Sequence, residues 1–230
     1  MKIHVRNECA DSNSYRAARV KSLFNAERGN LFEMDADIDV DNEPWSIGLI
    51  VGPSGTGKTS IGRQLFGGGK IVDLYEGWGN GPIIDEISPN GDFDSVTGAL
   101  ANVGLGDVPS WLRPFHALSN GQQFRAGLAR LISDAPNDVI VDEFTSVIDR
   151  QIAKIGAMAF AKGWRRNKGK RIVLLSCHYD IVEWLQPDWV FDTGGGGLKK
   201  ETNLNQDRRS SWKLGRSTPL TGSILKSITI

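Results

Sequence analysis

Two short stretches carry residues whose types and spacing suit chemistry: GPSGTGKT at 52–59 and VIVDEFTSVIDR at 139–150. The first fits G-x-x-x-x-G-K-[ST] without mismatch and lies between an apolar run, Trp45 to Val51, and a helix-forming stretch. Glycines at 52, 55 and 57 let backbone N–H groups converge on phosphate oxygens with no Cβ in the way. A helix N-terminus adds partial positive charge there. Lys58 is then placed to reach the β- and γ-phosphates and the Thr59 hydroxyl to ligate Mg²⁺, with Ser54, Thr56 and Ser60 completing the loop. A Gly-rich strand-to-helix turn that binds nothing is the bland alternative. Motif and context together favour a nucleoside triphosphate site.

In the second stretch Asp142 and Glu143 stand side by side directly after Val139-Ile140-Val141. Two carboxylates at the end of a buried strand are costly to desolvate unless a cation or a proton transfer needs them. Beside a phosphate cradle they gain separate tasks. Asp142 would hold a Mg²⁺-bound water opposite Thr59, and Glu143, turned the other way, would approach the attacking water as general base.

ALSNGQQFRAGLARLI at 117–132 resembles the LSGGQ signature of ATP-binding cassette (ABC) ATPases, reading Leu118-Ser119-Asn120-Gly121-Gln122 with Arg125 downstream. Asn120 replaces a glycine, a mild change because Asn tolerates left-handed backbone. The order of motifs is also similar to that family. The P-loop comes first, then the signature, the strand ending in Asp142-Glu143, Ser146-Val147-Ile148-Asp149 in the D-loop position, and His178 in the switch position. The resemblance covers roughly residues 20–192 and implies an ATP- and Mg²⁺-dependent ATPase working as a head-to-tail homodimer. Lys58, Thr59, Asp142, Glu143 and His178 would then act in one subunit. Ser119 and Gly121 of the signature would act from across the interface, and Asn120, Gln122 and Asp149 would also belong to the nucleotide site.

Some features depart from the transporter pattern. Lys58 and Ser119 are only 61 residues apart, which implies a shortened helical subdomain of about residues 88–133. Where that pattern carries a Q-loop glutamine, PIIDEI at 82–87 offers Asp85, an acid able to serve Mg²⁺ or its water. Phe24 stands nearest the adenine-stacking position, with Phe32 second and core burial the alternative for either; Trp45 and Trp78 read as packing residues. These departures favour a soluble ATPase, similar to bacterial and phage-type ABC ATPases, acting on an unknown protein or nucleic-acid partner. The less favoured reading is the nucleotide-binding subunit of a transporter with a membrane partner.

The elements that must position these residues read as strands alternating with helices, an α/β domain with a mostly parallel sheet, to which the resemblance adds a P-loop NTPase fold of ABC type with an N-terminal antiparallel β part. Strands are expected at 32–40, 45–51, 70–75, 139–141, 171–176 and 189–192, and helices at 58–66, 94–106, from 119, 150–166 and 179–185. Residues 1–30 are weakly patterned. The ATPase domain is expected over 1–198. Residues 199–230, with seven Lys or Arg against two acids, read as a basic, flexible tail.

Across 230 residues 27 basic and 27 acidic side chains cancel, so no global field argues for nucleic acid or an anionic membrane. Two cysteines, Cys9 and Cys177, do not make a disulfide framework and suit a reducing compartment. No apolar run approaches the roughly 20 residues of a spanning helix, and the N-terminus has no signal-like apolar stretch. A cytoplasmic location is expected.

Overall fold

The computed structural model describes residues 2–8, 14–24, 31–40, 43–67, 70–195 and 197–200. Its centre is a six-stranded sheet of β3 (Ile47–Val51), β4 (Lys70–Val72), β5 (Asp138–Val141), β6 (Arg171–Ser176), β7 (Trp189–Asp192) and β8 (Gly197–Lys200). The strand order is β4-β5-β6-β3-β7-β8, parallel throughout except for β8, which runs antiparallel to β7. The continuous apolar runs of β3, β5 and β6 are buried on both faces, as parallel strands covered on two sides must be.

Side-chain alternation divides the core in two. Ile47, Leu49, Val139, Val141, Ile172 and Leu174 face one cluster, while Ile50, Ile140, Val173 and Leu175 face the other. The first face is covered by α4 (Phe93–Asn102), α6 (Asn120–Asp134), α7 (Arg150–Trp164) and α8 (Ile181–Leu185). In α7 the buried residues Ala153, Ala157, Phe160, Ala161 and Trp164 recur at the spacing of one helix face. Gly156 lets α6 come close: a Cβ there would lie 2.7 Å from the Phe124 ring. The opposite face is covered by α2 (Lys58–Gln64) and an antiparallel ribbon of β1 (Lys2–Glu8) and β2 (Leu31–Asp37).

Several boundaries differ from expectation. β1 and α1 (Tyr15–Phe24) fill a region that reads as weakly patterned, and β8 carries the sheet to Lys200, past the expected limit at 198. β4 ends at Val72 rather than 75, because Asp73 accepts the Tyr75 N–H at 2.7 Å and turns the chain. α2 gives way at Leu65 to a 3₁₀ turn in which Phe66 has φ 52°. α4 ends at Asn102, with Gly104 at φ 79° just beyond it. The shortened helical region contains α3 (Ile83–Glu86) and α5 (Val108–Trp111), each a single turn, beside α4 and α6. Residues 201–230 lie outside the described residues, and with them nearly all of the expected tail.

Candidate functional site

Parallel register brings the candidate residues to one edge. Val51 pairs with Ser176 and Val141 with Leu174, so the P-loop, Asp142 and the His178 loop leave adjacent strands at the same C-terminal border. β3 and its neighbour β6 send their crossovers in opposite directions, β3 to β4 on one side and β6 to β7 on the other. Ligands of open α/β sheets bind at such a switch point.

The loop at 52–57 is built for close backbone approach. Gly52, Gly55 and Gly57 all have positive φ, at 153°, 80° and 82°. A Cβ on Gly52 would lie 1.9 Å from the Thr193 hydroxyl, so no other residue fits without rearrangement. Thr193 stands against the Thr56 hydroxyl at 2.5 Å, and Thr56 also donates to the Pro53 carbonyl at 2.8 Å. The Lys58 ammonium arches back to the carbonyls of Gly52 and Pro53 at 2.8 and 2.7 Å. An ammonium has three donors, so one N–H is left for an anion in the loop. Ser54 and Gly55 are exposed, and Thr59 and Ser60, half-buried, open α2.

The acidic pair is held by strain and by an anchor. Asp142, half-buried, accepts the Glu143 N–H at 2.9 Å, and Glu143 itself is exposed with φ 52°. Thr145, at φ 68°, is a second left-handed non-glycine residue. Such backbone costs about 1–3 kcal/mol per residue and persists only when its surroundings enforce it. Phe144, fully buried between them, does so: its N–H donates to Leu175 O at 2.9 Å and its ring packs by Phe124 and Phe160. The loop thus drives Phe144 into the core and presents Glu143 outward. His178 is half-buried, its N–H bonded to the hydroxyl of buried Ser176 at 3.1 Å.

Ser119 caps α6 through a reciprocal pair, accepting from Gln122 N–H and donating its own N–H to Gln122 Oε1 at 3.0 Å. The Gln122 amide continues to the hydroxyl of fully buried Ser110 at 2.7 Å, and Ser110 donates to Asp107. Ser119 and Asn120 remain exposed; Gly121 sits against Ile152 of α7. Asp149 caps α7 with its carboxylate, accepting from Gln151 and Ile152 N–H, so that acid already has an internal task.

Asp85 does not follow a strand of the sheet. It lies exposed on α3, whose Ile83 N–H binds Arg113 O within the helical region. The acid at the edge is Asp73, directly after Val72, which pairs in register with Val141. Reading β4 as running to 75 hides Asp73 inside a strand; an acid at the end of an apolar triplet is the signal that exposes it. Phe24 is 76% exposed on a helix with no buried residue, which removes core packing as its explanation. The Phe32 side chain lies outside the described residues. Trp45 and Trp78 serve packing, stacked on Phe66 and Phe115 with centroids 5.9 and 4.3 Å apart.

Among the described residues no group of three or more His, Cys, Asp or Glu is arranged to hold a metal. An all-protein cage is not what Mg²⁺ asks for: it takes one or two protein oxygens, phosphates and water. The hydroxyl of Thr59 and the carboxylate of Asp142, beside a cradle from which Gly52 excludes any Cβ, are the right donor chemistry for that ion with a nucleotide.

Fold and site together define a P-loop nucleoside triphosphatase architecture with an extra strand, β6, between the P-loop strand and the acidic strand. No family model matches the chain. Over 203 residues it is 27% identical to the energy-coupling factor transporter ATP-binding protein of Geobacillus kaustophilus, covering 73% of this chain and 71% of that one. Over 161 residues it is 30% identical to a zinc import ATP-binding protein of Jannaschia, covering 61% of this chain and 65% of that one. A 2-aminoethylphosphonate import ATP-binding protein of Salmonella typhimurium shares 29% identity over 165 residues, or 57% of this chain, and the match spans under half, 44%, of that relative's length. Among solved structures, the cbiO1 component of a Clostridium perfringens ABC transporter complex superposes with a TM-score of 0.58 at 18% identity, covering 84% of this chain and 91% of that one. A bacterial Atm1-family ABC exporter gives 0.54 at 17% identity, covering 82% of this chain and 39% of that one. In sequence the chain is similar to ABC transporter ATP-binding proteins, and it shares the fold of ABC ATPase components.

Proposed function

We propose that this protein binds Mg-ATP at the C-terminal edge of its sheet and hydrolyses it as a head-to-tail dimer. The observation that carries the reading is the shared strand register that sets the P-loop, the Asp142-Glu143 pair and the His178 loop along one border. Bound Mg²⁺ would neutralise phosphate charge and polarise the γ-phosphoryl group. The protein's own part is positional. The loop N–H groups and Lys58 bind phosphate oxygens, and Thr59 and Asp142 hold the ion. Glu143 accepts a proton from the attacking water, and His178 contacts the γ-phosphate. Asp73, from its place beside Asp142, orients the ion's water in the role expected of Asp85. Ser119, Asn120, Gly121 and Gln122, exposed or half-buried at the head of α6, close the site on the partner copy.

In this reading residues 1–198, extended by β8 to Lys200, form the ATPase domain, with 88–133 its helical part and the remainder a basic tail. The relatives' names speak of import and energy coupling, and they favour an ATP-binding subunit of a transporter, on the cytoplasmic side of a membrane, over the self-standing ATPase expected from the sequence. No helix of the described residues is long and apolar enough to cross a membrane. The short Lys58–Ser119 interval and the absence of a glutamine from PIIDEI at 82–87 favour the self-standing alternative with a protein or nucleic-acid partner.

Light scattering on a gel-filtration column tests the reading, using Glu143→Gln protein with and without Mg-ATP. It predicts retained ATP binding, lost turnover and conversion from monomer to dimer. Turnover equal to wild type would remove Glu143 from the mechanism, and a monomer in saturating ATP would remove the shared site. Co-purification with a membrane protein separates the two settings.

A further inference from the structure

One guanidinium joins the two loops that carry the proposed hydrolytic residues. Arg150 Nε and Nη2 grip both carboxylate oxygens of Asp180, the former at 3.1 Å, while Nη1 reaches the Thr145 hydroxyl and carbonyl at 3.3 and 3.4 Å. The plane lies over the Trp184 ring, 4.8 Å from its centroid. Thr145 follows Glu143 by two residues, and Asp180 follows His178 by two.

Arg150 is the first residue of α7, where the helix dipole disfavours a cation. Its side chain is 36% exposed and that of Asp180 47%, so the pair adds little to fold stability. Neither helix propensity nor stability therefore accounts for a forked cation here. Geometry does, because a planar fork fixes both direction and distance between its partners, which an ammonium would not. Thr145 is one of the two strained left-handed residues in the loop, and Arg150 bonds it directly.

We propose that Arg150 is a positioning residue, locking the Glu143 loop to the His178 loop through Asp180 so that the two side chains keep one relative placement. This rests on the ATPase reading for its kinetic consequence but not for the lock itself. Arg150 and Asp180 touch no substrate in this account and act only through their neighbours.

The experiment combines amide hydrogen exchange of the nucleotide-free full chain with steady-state ATPase kinetics for Arg150→Ala, Arg150→Lys, Asp180→Asn and the double variant Arg150→Ala/Asp180→Asn. Asp180→Asn alters only the second loop, yet exchange should rise about fivefold or more in 143–149, the first loop. kcat should fall about tenfold with KM for ATP within about twofold, and the double variant should be no worse than either single one. Arg150→Lys should behave as Arg150→Ala, since charge without the fork does not bridge both loops. Unchanged exchange at 143–149 in Asp180→Asn, full activity of Arg150→Lys, or multiplying losses in the double variant would each overturn the lock. A wild-type chain that hydrolyses no ATP would sink the functional reading instead, and the exchange arm would still decide the lock. If Arg150→Ala does not fold, Asp180→Asn carries the test, being a near-isosteric change at a half-exposed site.

Discussion

Ser110→Ala isolates the support beneath the signature loop. The Ser110 hydroxyl is fully buried, accepts from the Gln122 amide at 2.7 Å and donates to the Asp107 carboxylate. Alanine removes both bonds without removing carbon. A neutral hydrogen bond contributes about 0.5–1.5 kcal/mol net, and one to a charged group about 1.5–3. Asp107 is exposed and Gln122 half-buried, so both regain water in the variant and recover part of that loss. The expected cost is therefore about 1–2 kcal/mol, at or below the lower bound of the sum. For a domain of this size each kcal/mol moves the melting midpoint by about 2–4 °C, giving a drop of about 2–8 °C.

The functional consequence lies elsewhere. Gln122 also accepts the Ser119 N–H, so releasing its amide loosens the cap that presents Ser119 and Asn120. Nucleotide affinity of the monomer, measured by fluorescent-ATP titration, should stay within about twofold. The ATP-driven dimer of Glu143→Gln protein, measured by sedimentation, should weaken about tenfold when Ser110→Ala is added, equivalent to about 1.4 kcal/mol at the interface. A variant with the wild-type midpoint and wild-type dimer affinity would refute the reasoning: the buried network would then hold neither the fold nor the signature.

Two other perturbations follow from single contacts. Gly52→Ala meets the Thr193 hydroxyl at 1.9 Å in a backbone of φ 153°, so phosphate binding should fall by at least about tenfold in a calorimetric titration; pairing it with Thr193→Gly, which removes the clash and leaves the strained φ, should recover part of that loss. The Tyr75 phenol is pushed up from 10.0 to about 12, first by burial and second by the charge of Asp73. The folded state therefore holds this proton more tightly than the unfolded chain. Its contribution is complete below pH 10 and is lost as pH rises from 10 towards about 12, a decline that Tyr75→Phe should flatten in denaturant titrations across that window.

Strands that are buried on both faces announce themselves, and so β3, β5, β6 and β7 were legible as apolar runs between turn residues. Helix α6 was legible from its start because Ser119 and Gln122 form a capping pair at the right interval. What escaped was structure decided by pairing rather than composition. β8 holds Gly197-Leu198-Lys199-Lys200, an ordinary polar tail in isolation, and becomes a strand because Trp189 to Asp192 offer it an open edge. β1 has the alternation of Ile3 and Val5, but only β2 across the ribbon turns two buried residues into an element.

The same division runs through the candidate site. Residues proposed to touch phosphate or its metal directly are bound to local backbone geometry, so the loop from Gly52 to Thr59 and the pair after β5 stand out in one dimension. The residues that hold them in place do not. Thr193 meets Thr56 across 137 positions and Asp180 meets Arg150 across 30, intervals at which no local pattern operates. Asp73 shows why the distinction matters. Its relevance depends on one register fact, Val72 opposite Val141, which a β4 read as running to 75 conceals. Chemistry written in the chain's own order is readable before folding; chemistry made by two loops meeting becomes readable only when the strand ends are known. That is why the lock through Arg150 required the structure, although each of its residues stood within a few positions of a motif already recognised.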